Sequence, residues 1–304
     1  MTAVCFRIRS VNRRALRVSV RSQFPLKRHE FRADKTIAGP FVSRRMDLTT
    51  NNSRIESHPC GCICDEYKKE AQSIQASLLP TRDLTVGPVE IAFRYAPFAE
   101  VGGDFADFFV LPDGLIDIYL GDVVGKGLPA ALYAALVMGT VRGIHKRGKD
   151  TSSVLSLLND RLWTRPVPGR FCGTLYARFD PTIRRLSFSN AGLPLPVLLS
   201  KNGCRRLGDG GFPSGMFPNA SYDLHTVELR TDDVVLFATD GLHEFCNPEG
   251  VEFSTKTLTE IWSQCGKKSA AQALQFLFDA MGGFSDFGPQ DDVTAVVLKL
   301  MPTA

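Results

Sequence analysis

The sequence predicts an α+β fold in which two stacked, mainly antiparallel sheets are covered by helices. Strand-like apolar segments arrive in consecutive runs, with paired helical segments between the runs, which argues against a βαβ winding. The strands also outnumber the helices, so the helices are expected on the outer faces. With 304 residues and 44% hydrophobic residues, the chain can form a sizeable core as one large domain or two small ones.

The individual elements are predicted from apolar periodicity and from the residues that interrupt it. Strands are predicted at residues 89–96, 108–111, 115–120, 174–180, 184–192, 196–200, 222–229, 234–241 and 293–300. Helices are predicted at residues 128–147, 151–164, 255–264 and 269–281.

The first part of the chain differs from the rest in charge. Residues 1–45 carry 12 Lys/Arg residues against Glu30 and Asp34, a net charge of +10, whereas the remainder has a net charge of −6. We interpret residues 1–64 as a basic and polar arm with a linker, disordered or, before Met46, an over-extended reading frame; a nucleic-acid or membrane-surface tail is the alternative. The acidic main body argues against nucleic-acid binding.

The chain shows no sequence pattern for membrane insertion or for a disulfide scaffold. No apolar run approaches the roughly 18–20 residues of a membrane span, and arginines interrupt any secretory signal, so the protein is predicted to be cytoplasmic. Cys60, Cys62 and Cys64 form the only cluster among 8 cysteines. A metal or redox role for them stays open, because no second pair of ligands is evident.

An amphipathic helix is predicted between the arm and the main domain. Tyr67, Ala71, Ile74 and Leu78 fall close to one face of residues 65–79, and Pro80 ends the helix. Residues 65–80 could therefore pack on the following domain, form a homodimer or act as a regulatory helix.

Aspartates stand at the ends of several apolar runs. Asp122 follows residues 115–120 in "GDVVGKG", whose glycines would let a backbone carbonyl such as that of Val123 join a cation site. The other aspartates in such positions are Asp104, Asp107, Asp240, Asp291 and Asp292. Aspartates next to buried strands must be solvated, paired or metal-bound. Several of them at one end of a sheet would repel one another without cations.

This pattern favours metal-assisted phosphate hydrolysis. Carboxylate-rich oxygen sites suit Mg²⁺ or Mn²⁺, and a pair of such ions can activate a water and clamp a phosphoryl group. The segment "GDVVGKG" is not a P-loop, because its first two glycines are too close and Gly127 takes the Ser/Thr position. Lys126 and His243 could contact a phosphate, but a lysine in a turn is more often simply solvated and a histidine in a loop is more often a bystander.

Five motifs in order and register resemble the SpoIIE/RsbU-like bacterial branch of PPM-type (type 2C-like) protein phosphatases. They are "VGGDF.DFF", "LGDVVGKGLPAAL", "NAGLPLPVLL", "LFATDGLHEFCNPEG" and "DDVTAVVL", and the resemblance covers about residues 66–300. It implies a four-layer α-β-β-α sandwich over residues 81–304. It further implies hydrolysis of phosphoserine or phosphothreonine at a centre of two Mn²⁺ or Mg²⁺ ions.

The resemblance assigns roles by position. Asp122 should bridge both metals as the central catalytic residue, with the Val123 carbonyl on one of them. Asp240 and Asp291 should hold the first metal, and Asp104 the second. Asp292 should support the ligands without binding a metal.

The same resemblance implies a phosphorylated anti-sigma-factor antagonist as substrate and an upstream activator as a further partner. Ala106 and Leu193 depart from the usual aromatic and His residues, for which we expect altered substrate contacts. A phosphoprotein-binding module without turnover is the main alternative, and a two-metal nuclease is a weaker one because the main body is acidic.

Overall fold

Two antiparallel sheets form the centre of the molecule in the computed structural model. The structure describes residues 60–145, 150–285 and 288–302, with the side chains of 60–64 excepted, and these lie in a compact unit spanning residues 56–304. The strands are β1 (Leu84–Val86), β2 (Val89–Ala96), β3 (Phe105–Val110), β4 (Ile116–Val123), β5 (Cys172–Asp180), β6 (Arg185–Ala191), β7 (Val197–Ser200), β8 (Gly203–Arg206), β9 (His225–Glu228), β10 (Val234–Ala238) and β11 (Val293–Leu300).

Each sheet combines strands from distant parts of the chain. The first sheet has the order β1-β2-β11-β10-β7-β8, and the second has the order β3-β4-β5-β6-β9. The helices are α1 (Cys60–Leu78), α2 (Leu128–Ile144), α3 (Thr151–Thr164), α4 (Thr255–Trp262) and α5 (Ala270–Phe284), with a short 3₁₀ helix at Asp240–Leu242.

The hydrophobic core has three layers. One layer lies between the sheets and contains residues such as Ile118 and Phe237 from opposite sheets. A second packs α4 and α5 on the first sheet, with Trp262 fully buried. A third packs α2 and α3 on the second sheet. The predicted fold, two antiparallel sheets flanked by helices, is confirmed.

The central strand β11 shows why part of the sequence lacks strand alternation. All its residues are buried, because the inter-sheet core covers one face and α5 contacts the other. A strand buried on both faces is expected to be apolar throughout. Its one charged residue, Lys299, donates hydrogen bonds to the carbonyls of Gly266 (3.0 Å) and Lys268 (2.5 Å).

The predicted elements largely match the observed ones, and most of their bounds differ by no more than three residues. Strands 89–96 and 293–300 and helix 151–164 have the predicted bounds. The strands β1 and β8 were not predicted, and α1 begins at Cys60, not at Asp65. Within the described ranges, no helix is long and apolar enough to cross a bilayer. The predicted arm before Cys60 and the cysteine cluster's side chains lie outside the described residues.

Candidate metal centre

The aspartates predicted to bind metal come from four elements that meet at one end of the two sheets. Asp122 is the next-to-last residue of β4, Asp104 precedes β3, Asp240 opens the 3₁₀ helix after β10, and Asp291 lies just before β11. The Val123 N–H donates to the Gly103 carbonyl at 3.3 Å, which joins the end of β4 to the turn before β3.

Asp104 is anchored across the two sheets. Its carboxylate is buried and accepts a 2.7 Å hydrogen bond from the hydroxyl of Thr239 at the end of β10. The Thr239 hydroxyl in turn accepts a 3.0 Å bond from the Thr294 N–H on β11. Burial and the neighbouring charge of Asp122 raise the pKa of Asp104 well above its ordinary value.

Asp122 lies at the centre of the acidic group. Burial, and then the charges of Asp240 and Asp291, raise the pKa of Asp122 to about 7. A Cβ atom at Gly103 would lie 2.8 Å from the Val123 carbonyl oxygen and 3.2 Å from Asp122 Oδ1. Both oxygens therefore lie close to the same glycine, and a side chain at residue 103 would collide with the Val123 carbonyl oxygen.

Asp240 and Asp291 form the second part of the group. Burial and the charge of Asp291 raise the pKa of Asp240, although Asp240 keeps an exposed surface. Burial and the same two aspartates also raise the pKa of Glu244, which sequence reasoning did not select. Its only sequence signal is its position four residues after Asp240.

Asp292 organises the backbone next to these aspartates. Its Oδ1 accepts from the Phe98 N–H at 2.9 Å, and its Oδ2 accepts from the Gly103 N–H at 2.8 Å. A Cβ atom at Gly102 would lie 1.8 Å from Asp292 Oδ2, and one at Gly241 would lie 2.0 Å from the Asp292 carbonyl oxygen. Glycine is therefore required at both positions for the chain to close around Asp292.

Lys126 contacts the acidic group directly. Its Nζ lies 2.7 Å from Asp291 Oδ2 and donates to the Gln290 carbonyl at 2.8 Å. The same ammonium lies 4.6 Å from the centre of the Phe98 ring. The sequence placed Lys126 in the turn after Asp122, but its partners are remote in the chain and could not be recognised from spacing.

Some residues singled out in the sequence lie elsewhere. Asp107 pairs with Arg142 of α2 at 2.7 Å and so stabilises the packing of β3 on α2. Ala106 and Leu193 are buried in the core between the sheets, because their strand and turn direct them inward. The expectation of altered substrate contacts, which concerned the absent aromatic and His residues, stays a prediction. His243 is partly buried, its Nδ1 has no partner among the described atoms, and burial lowers its pKa.

The atoms available to bind a cation at this end of the sheets are oxygen atoms from carboxylates and one carbonyl. Hard cations such as Mg²⁺ and Mn²⁺ prefer such donors. Over the described part of the chain, no three His, Cys, Asp or Glu side chains already converge as a preassembled metal-ligand set. The carboxylates therefore lie close enough to affect one another's pKa without forming a closed coordination shell.

Solved structures with the same fold are PP2C phosphatases. The SiaA-PP2C domain of Pseudomonas aeruginosa superposes with a TM-score of 0.70, covering 80% of this chain and 99% of that one at 18% identity. The RsbU and RsbW domains of Rv1364c from Mycobacterium tuberculosis give a TM-score of 0.62, covering 73% and 63% at 24% identity. The catalytic domain of the phosphatase PstP, solved with 2 manganese ions, gives a TM-score of 0.52, covering 70% and 99% at 17% identity.

Sequence comparison defines the family within this fold. Residues 112–301 match the family described as Stage II sporulation protein E (SpoIIE), and the chain belongs to that family. Phosphoserine phosphatase RsbU of Bacillus subtilis (strain 168) is 25% identical over 242 residues, covering 78% of this chain and 72% of RsbU. Phosphoserine phosphatase RsbP of the same organism is 23% identical, covering 57% of this chain and only 44% of RsbP. The predicted SpoIIE/RsbU-like family is confirmed.

Proposed function

We propose that the protein is a metal-dependent phosphatase that hydrolyses phosphoserine or phosphothreonine in proteins. The main observation behind this proposal is that four aspartates lie together at one end of the two sheets. They are Asp104, Asp122, Asp240 and Asp291. Carboxylates with raised pKa values in a cleft are typical of functional sites. Family membership and the names of the relatives support the same reaction class.

The oxygen atoms at this end of the sheets are of the kind that divalent cations bind. Asp122 Oδ1 and the Val123 carbonyl oxygen both lie close to Gly103, which supports their assignment to a shared ligand. We assign Asp122 to both ions of a Mn²⁺ or Mg²⁺ pair, Asp240 and Asp291 to the first, and Asp104 to the second. Bound metal would lower the pKa of a coordinated water and neutralise phosphoryl oxygens.

The chain's own contribution is to hold these oxygens in place. Thr239 donates to Asp104 Oδ2 and so fixes the position of this carboxylate. Asp292 accepts two backbone N–H groups and fixes the turn that carries Gly103 and Asp104. Hydrogen-bonded supports of this kind orient metal ligands, and their loss commonly lowers metal affinity about 10- to 100-fold.

The proposed substrate is a phosphorylated anti-sigma-factor antagonist in a partner-switching pathway. Its support is the similarity to RsbU and RsbP and to a solved structure that holds RsbU and RsbW domains. An upstream activator and a homodimer through residues 65–79 complete the proposed partners. The exposed side chains of Tyr67 and Ile74 on α1 are consistent with such an apolar contact. The domain division proposed is 1–64, 65–80 and 81–304.

The test is phosphate release from a phosphoserine peptide, with Mn²⁺ and with EDTA. The wild type should turn over only with Mn²⁺, and Asp122→Asn should lose at least about a hundredfold because it replaces a direct ligand. Asp113→Asn is the matched control, because Asp113 lies in the exposed turn before the same strand. Turnover that survives Asp122→Asn would contradict the proposed site. Mn²⁺ binding without turnover would favour the phosphoprotein-binding module instead.

A further inference from the structure

Lys126 has an unusual position for a lysine in an exposed turn. Its ammonium contacts the Asp291 carboxylate, the Gln290 carbonyl and the Phe98 ring, although half of its side-chain surface remains exposed. Gly125 and Gly127 on either side of it have φ values of 99° and 68°, which favour glycine and shape the turn. The lysine is therefore held against the acidic group by the fold.

Its charge affects more than one carboxylate. The Lys126 ammonium contacts the Asp291 carboxylate at 2.7 Å. Its positive charge also opposes the rise in the pKa of Asp240 and of Glu244. These three acidic side chains would otherwise repel one another at short range. In the protein without bound metal, Lys126 partly balances the same charges that a divalent cation would balance.

We propose that Lys126 is a tethered cation that competes with a divalent metal ion for Asp291. This inference rests on the proposed function, in which Asp291 and Asp240 hold one ion. Lys126 thereby sets the metal affinity of this half of the site: it stabilises the metal-free protein and weakens metal binding. Its contacts with Gln290 and Phe98 keep the ammonium nearby when metal enters, so the repulsion persists in the bound state.

Competition of this kind has two consequences of opposite sign. Removing the charge of Lys126 should destabilise the metal-free protein, because the carboxylates lose their nearest cation. The same change should strengthen metal binding, because a like charge no longer lies beside the ion. A unit charge a few ångströms from a divalent ion in largely aqueous surroundings changes affinity on the order of tenfold.

The experiment measures Mn²⁺ affinity by titration calorimetry and thermal unfolding in EDTA. The variants are Lys126→Met, which keeps chain length without charge, and Lys126→Arg, which keeps the charge. Lys201→Met is the control, because Lys201 is exposed in the turn between β7 and β8. Lys126→Met should bind Mn²⁺ about tenfold more tightly than wild type and have a lower Tm in EDTA. Lys126→Arg and Lys201→Met should resemble wild type in both measurements.

Several outcomes would overturn the inference. Unchanged or weaker Mn²⁺ binding by Lys126→Met would show that Lys126 does not compete with the ion. Equal tightening by Lys201→Met would show a general effect of net charge. If wild type bound no Mn²⁺ at all, the proposed function would fail together with the inference, whereas equal affinities of wild type and Lys126→Met would overturn the inference alone.

Discussion

The strand β4 carries two aspartates that the protein treats in different ways. Asp117, near its start, is fully buried and accepts hydrogen bonds from Arg178 Nε (2.6 Å), Arg178 Nη2 (2.8 Å) and the Tyr176 hydroxyl (2.5 Å). Asp122, near its end, has acidic neighbours, and burial together with the charge of Asp240 raises its pKa to about 7.

The difference separates a structural carboxylate from one available for a ligand. The negative charge of Asp117 is balanced within the chain by a guanidinium on the adjacent strand β5. The charge of Asp122 has no such partner among its described contacts, so its neutralisation must come from protons or from an external cation. We therefore expect that replacing Asp117 lowers the stability of the protein, whereas replacing Asp122 raises the stability of the metal-free protein.

The largest expected loss of stability comes from Asp117→Asn. The variant removes the anion that faces Arg178 in a largely buried place, and breaking such a pair costs about 3 kcal/mol. Urea denaturation should show this loss, while phosphatase activity below the unfolding transition should stay near that of wild type. A loss under about 1 kcal/mol would mean that Asp117 is not balanced by Arg178.

The next largest effect is expected from Gly102→Ala. The new Cβ would lie 1.8 Å from Asp292 Oδ2, so the carboxylate must move and lose its backbone hydrogen bonds. We expect a loss of about 2 kcal/mol in stability and about tenfold or more in Mn²⁺ affinity. Calorimetry and denaturant unfolding measure the two effects. Unchanged Mn²⁺ affinity in the folded variant would rule out a supporting role for Asp292.

An effect of opposite sign is expected from Asp122→Asn in EDTA. The Asp122 carboxyl group binds its proton more tightly in the folded metal-free protein than in the unfolded chain, where the pKa of an Asp is about 3.9. The contribution of the Asp122 carboxyl group is therefore complete below about pH 4 and is lost as the pH rises to about 7.

The uncharged variant should consequently gain stability relative to wild type as the pH rises from 4 to 7. The measured quantity is the difference in Tm between Asp122→Asn and wild type at each pH, which cancels the titration of other groups. A difference that does not change with pH would contradict the raised pKa of Asp122.

The smallest effect is expected from Gly139→Ala, a glycine control for Gly102→Ala. Gly139 is exposed within α2, and a Cβ there would meet no atom within 4 Å. Alanine should therefore stabilise the helix by up to about 1 kcal/mol without altering Mn²⁺ affinity. Denaturant unfolding and calorimetry check both statements. A marked loss of affinity would show that helix substitutions alone disturb the site.

The sequence predicted the parts of the protein that depend on local pattern. The strand at 293–300 was recognisable as an apolar run, and Asp122 was recognisable as a carboxylate after such a run. The short strands β1 and β8 were missed, because "LTV" and "GCRR" are held by pairing with β2 and β7 and carry little pattern of their own.

Partners from distant segments were beyond sequence reasoning. Asp104 and Asp107 looked alike in "GGDFAD", yet Asp104 meets Thr239 and Asp107 meets Arg142. The pairing of Lys126 with Asp291 likewise depends on how two remote turns meet. The position of Ala106 in the core likewise follows from the sheet register, which pairs it with Leu120.

The most direct test is a Mn²⁺ titration by calorimetry of wild type, Asp122→Asn and Asp117→Asn at a temperature where all are folded. The account predicts uptake of two ions per chain by wild type and by Asp117→Asn, and loss of high-affinity uptake in Asp122→Asn. Equal uptake by wild type and Asp122→Asn would contradict the assignment of the metal centre to the aspartates at this end of the two sheets.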